Sequence, residues 1–435
     1  MKSAVVSGIV MGALLVLLAG FLVGCGGKEP PLDPEARKLV VIGLDSADWR
    51  LLKPMIEDEG RLPVLKNFMT QSSYGRMKTF FPLEKSPVLW ASISTGVEPE
   101  VHGIANFVKG SDQKPVSGSA WYAPAIWDIL GAANLSSSVV GMWTTYPTRQ
   151  INGVMVSDYL PYGHGRDKPM EGLVYPDSLT EAVVALRVDP ASLTREDLTR
   201  FIDTDKITLA EKKYPVLMGK LRDVLAADMG YVAVNRMLAE KFDFDLFYFY
   251  LRGPDMISHY FYRFLKPQDS RLVVTPEEIE IFKDVVKRYY DWSDEVTGEV
   301  LSWFPADRQT VILSDHGFYG PRKSGKKGAH EHSEWGIFLV RSPIYEANHQ
   351  FSHLELLDIC PTFLALMGLP PAQDMPGRVL IDGLTSAGKK RIERIEKNRV
   401  PTYLPLRPAE GPAGELDEGV NEEIRKQLRS LGYIN

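Results

Sequence analysis

VILSDHGF, residues 311–318, runs from an apolar stretch into an acid and an imidazole side by side, followed by a glycine that can turn the chain. A short, wholly apolar run suits a strand buried on both faces, as strands of parallel sheets are. The carboxyl ends of such strands are where open α/β sheets bind ligands. Asp315 and His316 are therefore either the start of an ordinary loop or donors to a metal, and other segments must separate the two.

Similar runs recur ahead of other polar residues. They are KLVVIGLDSADW (38–49), SSVVGMWTTYP (137–147), DLFYFYLRGPD (245–255) and GIFLVRSP (336–343). Helical patterns lie between several of them. At TPEE, Thr275 can cap, Pro276 takes the first helical position and Glu278 can complete a capping box. Ile279, Phe282, Val286, Tyr289 and Tyr290 then share one face. Alternating strands and helices predict an α/β/α sandwich, with a mostly parallel central sheet covered on both sides.

Residues of about 160–235 break this rhythm; they are polar, start helices at sequences such as DPASLTRED, and predict short helices forming an inserted cap. The main domain is expected over 38–385. A tail over 386–435 follows, with a charged helix (389–399), a linker spaced by Pro401, Pro405, Pro408 and Pro412, and a final amphipathic helix marked by Ile424, Leu428 and Leu431.

Asp and His gather at the expected strand ends. Asp45 follows VVIGL, Asp255 and His259 follow FYFYLRGP, Asp315 and His316 follow VILS, and His330 and His332 precede GIFLV. A lone Asp after a strand is commonly a cap. A set of carboxylates and imidazoles brought to one sheet edge suits a divalent transition metal. In EKSPVLWASISTG (84–96), Ser86 precedes what looks like a buried helix. Its hydroxyl is either a cap or, beside metal ions that lower its pKa, a nucleophile, with the helix amino terminus favouring a phosphate.

The chain has 435 residues, 44% hydrophobic and 24% charged, enough for a sizeable core. A formal charge of −6 argues against nucleic acid as a partner. Lys2 and the uncharged stretch Ser3–Gly27, ending in LVGC (22–25), have the pattern of a secretory segment, with a polar linker after it. It resembles a bacterial lipoprotein signal over 1–24, in which Cys25 becomes lipidated, although Val23 is a less common residue there; an uncleaved anchor is the alternative. Both place the bulk of the chain in the cell envelope, outside the inner membrane. Cys360 is the one other cysteine. With Cys25 lipidated it has no disulfide partner, and its apolar setting suits the core.

Taken together, VVIGLDSADW, KSPVLWASISTG with PEVHGI, RGPDMISH, ILSDHGF, HSEWGIFLV and LDICPTFLALMGLPPAQDMPGRVL resemble the alkaline phosphatase superfamily, in its type I phosphodiesterase/nucleotide pyrophosphatase branch. The resemblance runs from about Leu39 to Leu380. It implies a phosphoester hydrolase with two metal ions a few ångströms apart, usually zinc, with manganese or iron as alternatives. One would take Asp45, Asp315, His316 and the Ser86 oxygen. The other would take Asp255, His259 and His332, with His330 as the fallback. Asn106 lies near where relatives place a polar group on the phosphate. Ser86 would attack phosphorus and pass through a phosphoseryl intermediate. The expected substrate is a small-molecule or lipid-headgroup phosphoester.

Rival readings within the fold are a phosphatase, a sulfatase, a phosphomutase and a headgroup transferase. A sulfatase needs Cys or Ser followed by x-Pro-x-Arg, whereas Ser86 is followed by Pro87, Val88, Leu89 and Trp90. A binding protein that keeps the fold without activity is the non-enzymatic alternative.

Overall fold

The computed structural model describes residues 35–434 except 83, 164–169, 269, 271, 321–330 and 407–417. The segment through Cys25, and His330, lie outside the described residues. Among those described, no helix is long and apolar enough to cross a membrane.

Eight strands form the central sheet: β1 (Leu39–Leu44), β2 (Ser73–Lys78), β3 (Ser137–Val140), β4 (Gly153–Val156), β5 (Val174–Tyr175), β6 (Leu246–Leu251), β7 (Gln309–Leu313) and β8 (Trp335–Arg341). Their order is β2-β8-β7-β1-β6-β3-β4-β5. The five strands from β7 to β4 run parallel. β8 is antiparallel to β7 and β2, and β5 is antiparallel to β4. β1 and β6 are buried at every residue, which is why both are unbroken apolar runs.

Alternate side chains of β1 point to opposite faces and seed two cores. Val40 and Ile42 join the core containing α2 (Pro215–Lys241), α3 (Gly253–Leu265) and α4 (Val285–Ser302). Leu39 and Val41 join the core beneath α1 (Ser86–Thr95) and α5 (Ile359–Leu366). The charged helix α6 (Ser386–Lys397) attaches to this second core through Ile392. The last helix, α7 (Glu418–Ser430), buries Val420, Ile424 and Leu428 in the first. Cys360 is fully buried.

The sequence-based reading departs from the structure in three places. Residues 160–235 do not hold short helices alone, because α2 is a single helix of 27 residues lying against α3, β3 and β6. Its buried positions include Asp228, Gly230 and Asn235 as well as apolar residues, so no clean stripe marks it. The helix starting at Thr275 has the expected capping box, but it ends at Phe282, and α4 begins at Val285. Strands β2, β4 and the two-residue β5 carry no pattern that marks them in the sequence. SYGRMK is an edge strand with Arg76 and Lys78 exposed, and GVMV is only four residues long.

Candidate metal centre and nucleophile

Strands β7, β1 and β6 lie side by side and parallel, so the residues leaving them emerge at one edge of the sheet. Asp45 directly follows β1, and its amide donates to the Leu251 carbonyl at the end of β6 (3.0 Å). Asp315 follows β7 after Ser314. β6 leads into α3, where Asp255 sits in the first turn and His259 one turn later on the same face. The start of α3 is pinned by Asp228, whose Oδ2 accepts from Gly253 N (3.0 Å) and from Tyr289 Oη (2.9 Å).

His332 arrives differently. Gly317–Phe318 pairs antiparallel with His332–Ser333, and this short ribbon lays the His332 ring on that of His316 (centroids 4.0 Å apart, planes at 21°). Ser86 opens α1, a helix whose ten residues are all buried. The N-cap position belongs to Lys85, so the Ser86 hydroxyl is not a cap; its Oγ lies 3.1 Å from His316 Nε2. Gly43 lets α1 sit this close to β1.

The structure brings together all seven residues expected to hold the metals. His316 Nε2 lies 3.5 Å from Asp45 Oδ1 and 3.5 Å from Asp315 Oδ2. Asp255 Oδ1 lies 3.2 Å from His332 Nε2 and 3.5 Å from His259 Nε2, and the two Nε2 atoms are 2.8 Å apart. His316 bridges the groups: its donor atom falls within 4.8 Å of those of Asp45 and Asp315, and also of those of Asp255 and His332.

The residues present fit divalent cations. Asp45 Oδ1, Asp255 Oδ1 and Asp315 Oδ2 are buried and have no hydrogen-bond partner, a costly state for carboxylate oxygens unless a cation meets them. The remaining contacts orient these donors. His316 Nδ1 donates to the Gly317 carbonyl (3.0 Å), and His259 Nδ1 to Glu331 Oε2 (3.0 Å), leaving both Nε2 atoms toward the cluster. Tyr250 Oη donates to Asp45 Oδ2, and Tyr433 Oη to Asp255 Oδ2 (2.6 Å).

Burial and the neighbouring charges together set the protonation of the site. Burial pushes the carboxyls of Asp45 and Asp315 up, with neighbouring acids adding to the effect. It lowers His332, and it lowers His316 to about 4, so His316 is a neutral imidazole whose Nε2 accepts from the Ser86 hydroxyl. Burial also opposes ionisation of Asp255, but His259 and His332 outweigh it and hold that carboxyl below its ordinary value.

Asn106 is half-buried, and its Oδ1 accepts from Lys85 Nζ (2.8 Å) and from Phe107 N (2.7 Å). It is thus tied to the residue preceding Ser86. His102, in PEVHGI, is structural: its ring bonds the Ser92 hydroxyl (2.9 Å) and accepts from Ile104 N (3.1 Å). Tyr250, Glu331, Lys85 and Tyr433 were not singled out in the sequence. Glu331 had a signal, since it lies between His330 and His332, while Tyr250 looked like one more aromatic of a buried strand.

An α/β/α sandwich that collects carboxylates, imidazoles and a hydroxyl at the carboxyl edge of its parallel strands has the layout of an alkaline phosphatase-like hydrolase. The family profile described as Type I phosphodiesterase / nucleotide pyrophosphatase matches residues 39–327, and the chain belongs to that family. His332 and the tail lie beyond the matched span. Among solved structures, a sulfatase-like protein of Bacteroides thetaiotaomicron VPI-5482 is 11% identical, over 80% of this chain and 74% of that one, with a TM-score of 0.50; it supports the fold. A phosphonate monoester hydrolase from Silicibacter pomeroyi is 17% identical over 79% of this chain and 76% of that one, with a TM-score of 0.45. The murine ectonucleotide pyrophosphatase/phosphodiesterase 5 is 12% identical, over 80% of this chain and all of that one, with a TM-score of 0.43. A search of curated proteins returns no match.

Proposed function

We propose that the protein is a two-metal phosphodiesterase in which Ser86 is the nucleophile. The observation that carries this reading is the set of three partnerless buried carboxylate oxygens, on Asp45, Asp255 and Asp315, facing imidazoles beside the Ser86 hydroxyl. Asp45, Asp315 and His316 would hold one divalent ion together with the Ser86 oxygen. Asp255, His259 and His332 would hold the other. Zinc suits this mixture of imidazole and carboxylate, as manganese or iron also would. When bound, the ions supply Lewis-acid stabilisation of charge on the phosphoryl and leaving oxygens and lower the pKa of the serine hydroxyl.

The residues of the chain do the rest. Ser86 attacks phosphorus through Oγ, its proton passing to solvent or base. The P–O bond to the leaving alcohol breaks, and a phosphoseryl ester is left on Ser86. Water then attacks phosphorus, the Ser86 Oγ–P bond breaks with a proton returned to Oγ, and the monoester product is released. In the metal-free chain His316 Nε2 accepts from Oγ and keeps the hydroxyl beside the cluster, a bond that an ion held by His316 would replace, and Gly317 and Glu331 keep the His316 and His259 rings turned toward the cluster. Lys85 and Asn106 offer a cation and an amide next to the nucleophile for the phosphoryl oxygens. The substrate is a phosphodiester or phosphonate ester of a small molecule or lipid headgroup. Lipidation at Cys25 would hold the enzyme at a membrane of the cell envelope, facing the periplasm or the cell exterior, and incorporation of labelled fatty acid that is lost in Cys25→Ser tests the anchor.

The deciding experiment uses the full chain in detergent with zinc or manganese, comparing bis-p-nitrophenyl phosphate with p-nitrophenyl phosphate, alongside Ser86→Ala. Metal-dependent diester cleavage that disappears in the variant is expected. Turnover mainly of the monoester would make the protein a phosphatase. Cleavage of neither substrate, or turnover indifferent to Ser86→Ala, would overturn the reading.

A further inference from the structure

Two of the three clustered carboxylates are held alike. Asp45 accepts a tyrosine hydroxyl on Oδ2 and leaves Oδ1 without a partner toward His316. Asp255 does the same, with Oδ1 toward His332 and His259. The first tyrosine, Tyr250, belongs to the central strand β6. The second, Tyr433, comes from the far end of the chain, just after α7 and outside the segment that defines the family.

We infer that α7 is a working part of the metal centre, delivering Tyr433 as the positioning residue that fixes the Asp255 carboxylate for the ion held with His259 and His332. This rests on the two-metal reading above.

Several independent contacts hold the phenol there. Its ring stacks on Phe107 (4.4 Å between centroids, 28°), which itself meets Trp143 edge-on (5.2 Å). The Tyr433 carbonyl accepts from Lys85 Nζ (3.3 Å), linking the tail to the residue before the nucleophile. The helix is seated by Val420, Ile424 and Leu428 in the core, by Ser430 Oγ against Tyr260 Oη on α3 (2.8 Å), and by Gln427 bonded to Tyr162. The Tyr433 oxygen also lies 2.9 Å from His259 Nε2, so one hydroxyl touches two members of the same donor set. An outlying amphipathic helix needs only its apolar face buried; placing a phenol oxygen between a carboxylate and an imidazole is a further feature that packing alone does not require.

The test measures zinc binding by the full chain in detergent, stripped with chelator and titrated against a chromophoric competitor, for the unchanged protein, Tyr433→Phe and Tyr250→Phe. Tyr433→Phe keeps the ring and its stacking and removes only the hydroxyl. It should weaken one of two zinc ions by roughly 10- to 100-fold, leaving the other ion and the metal-free melting temperature as they were. Tyr250→Phe should weaken the other ion instead. Tyr433→Ala, which also removes the ring, should weaken the same ion as Tyr433→Phe. Two ions held as tightly by Tyr433→Phe as by the unchanged chain would sink this inference alone. So would unaltered zinc affinity with tighter binding of inorganic phosphate, since Tyr433 would then be occupying the substrate's place. A full chain that takes up no divalent metal would overturn the two-metal reading together with it.

Discussion

Gly43 on β1 and Trp90 on α1 mark a close approach between the central strand and the helix that carries the nucleophile: a Cβ at Gly43 would lie 2.7 Å from the Trp90 indole. Asp45 and Ser86 flank this contact, two residues beyond Gly43 and four before Trp90. Gly43→Ala should therefore do two things. Overpacking should cost about 1–3 kcal/mol of stability, seen as a lower urea midpoint. Displacement of α1 should lower kcat at temperatures where the variant is still folded. An unchanged midpoint would show that the helix has room to move.

Ser86→Ala should separate catalysis from stability. The N-cap of α1 is Lys85, and the Ser86 hydroxyl supports no turn of the helix. Diester hydrolysis should fall by roughly 10³-fold or more, while the melting temperature should stay close to that of the unchanged protein. A large loss of stability with modest loss of rate would return Ser86 to a structural role.

Metal removal should destabilise the fold. Asp45, Asp255 and Asp315 are buried together, and without a cation their ionised forms repel one another. Zinc or manganese at 1,000 times its dissociation constant should stabilise the native state by about 4 kcal/mol. Thermal melts with and without chelator check this; a melting temperature indifferent to both would count against the metal centre.

A pH effect of opposite origin is expected at Asp228. Burial pushes its carboxyl up to about 6 from an ordinary 3.8, so the folded state holds the proton more tightly than the unfolded one. Stability from this group is complete below pH 4 and is lost as pH rises through 6, by about 3 kcal/mol in total. Asp228→Asn still accepts from Gly253 N through its carbonyl oxygen and cannot ionise. The difference in urea midpoint between variant and unchanged protein should therefore move in the variant's favour between pH 4.5 and pH 7. A difference constant with pH would contradict the shift.

The legible parts of the site were those in which chemistry and strand ends coincide. Asp45, Asp255 and Asp315 each follow an apolar run, and His259 stands one helical turn after Asp255. The supports were not legible for the same kind of reason in each case. Tyr250 alternates with other aromatics in FYFYL, all of them buried, and only the sheet order shows which of them reaches Asp45. Tyr433 follows an amphipathic helix whose pattern accounts for its packing and is silent about where its end points. The length of α2 was obscured because it buries Asp228 and Asn235 along with apolar residues, so polarity there did not mean exposure.

The place of β1 in the sheet has a bearing on how the chain folds. It lies between β6 and β7, so that Leu39 pairs with Leu246 on one side and Gln309 on the other. During synthesis the first strand must therefore wait for most of the chain before either neighbour exists, with an apolar edge exposed throughout. A protein wired in this way gains from being kept unfolded until it is whole, and its productive folding should begin late and from the middle of the sheet.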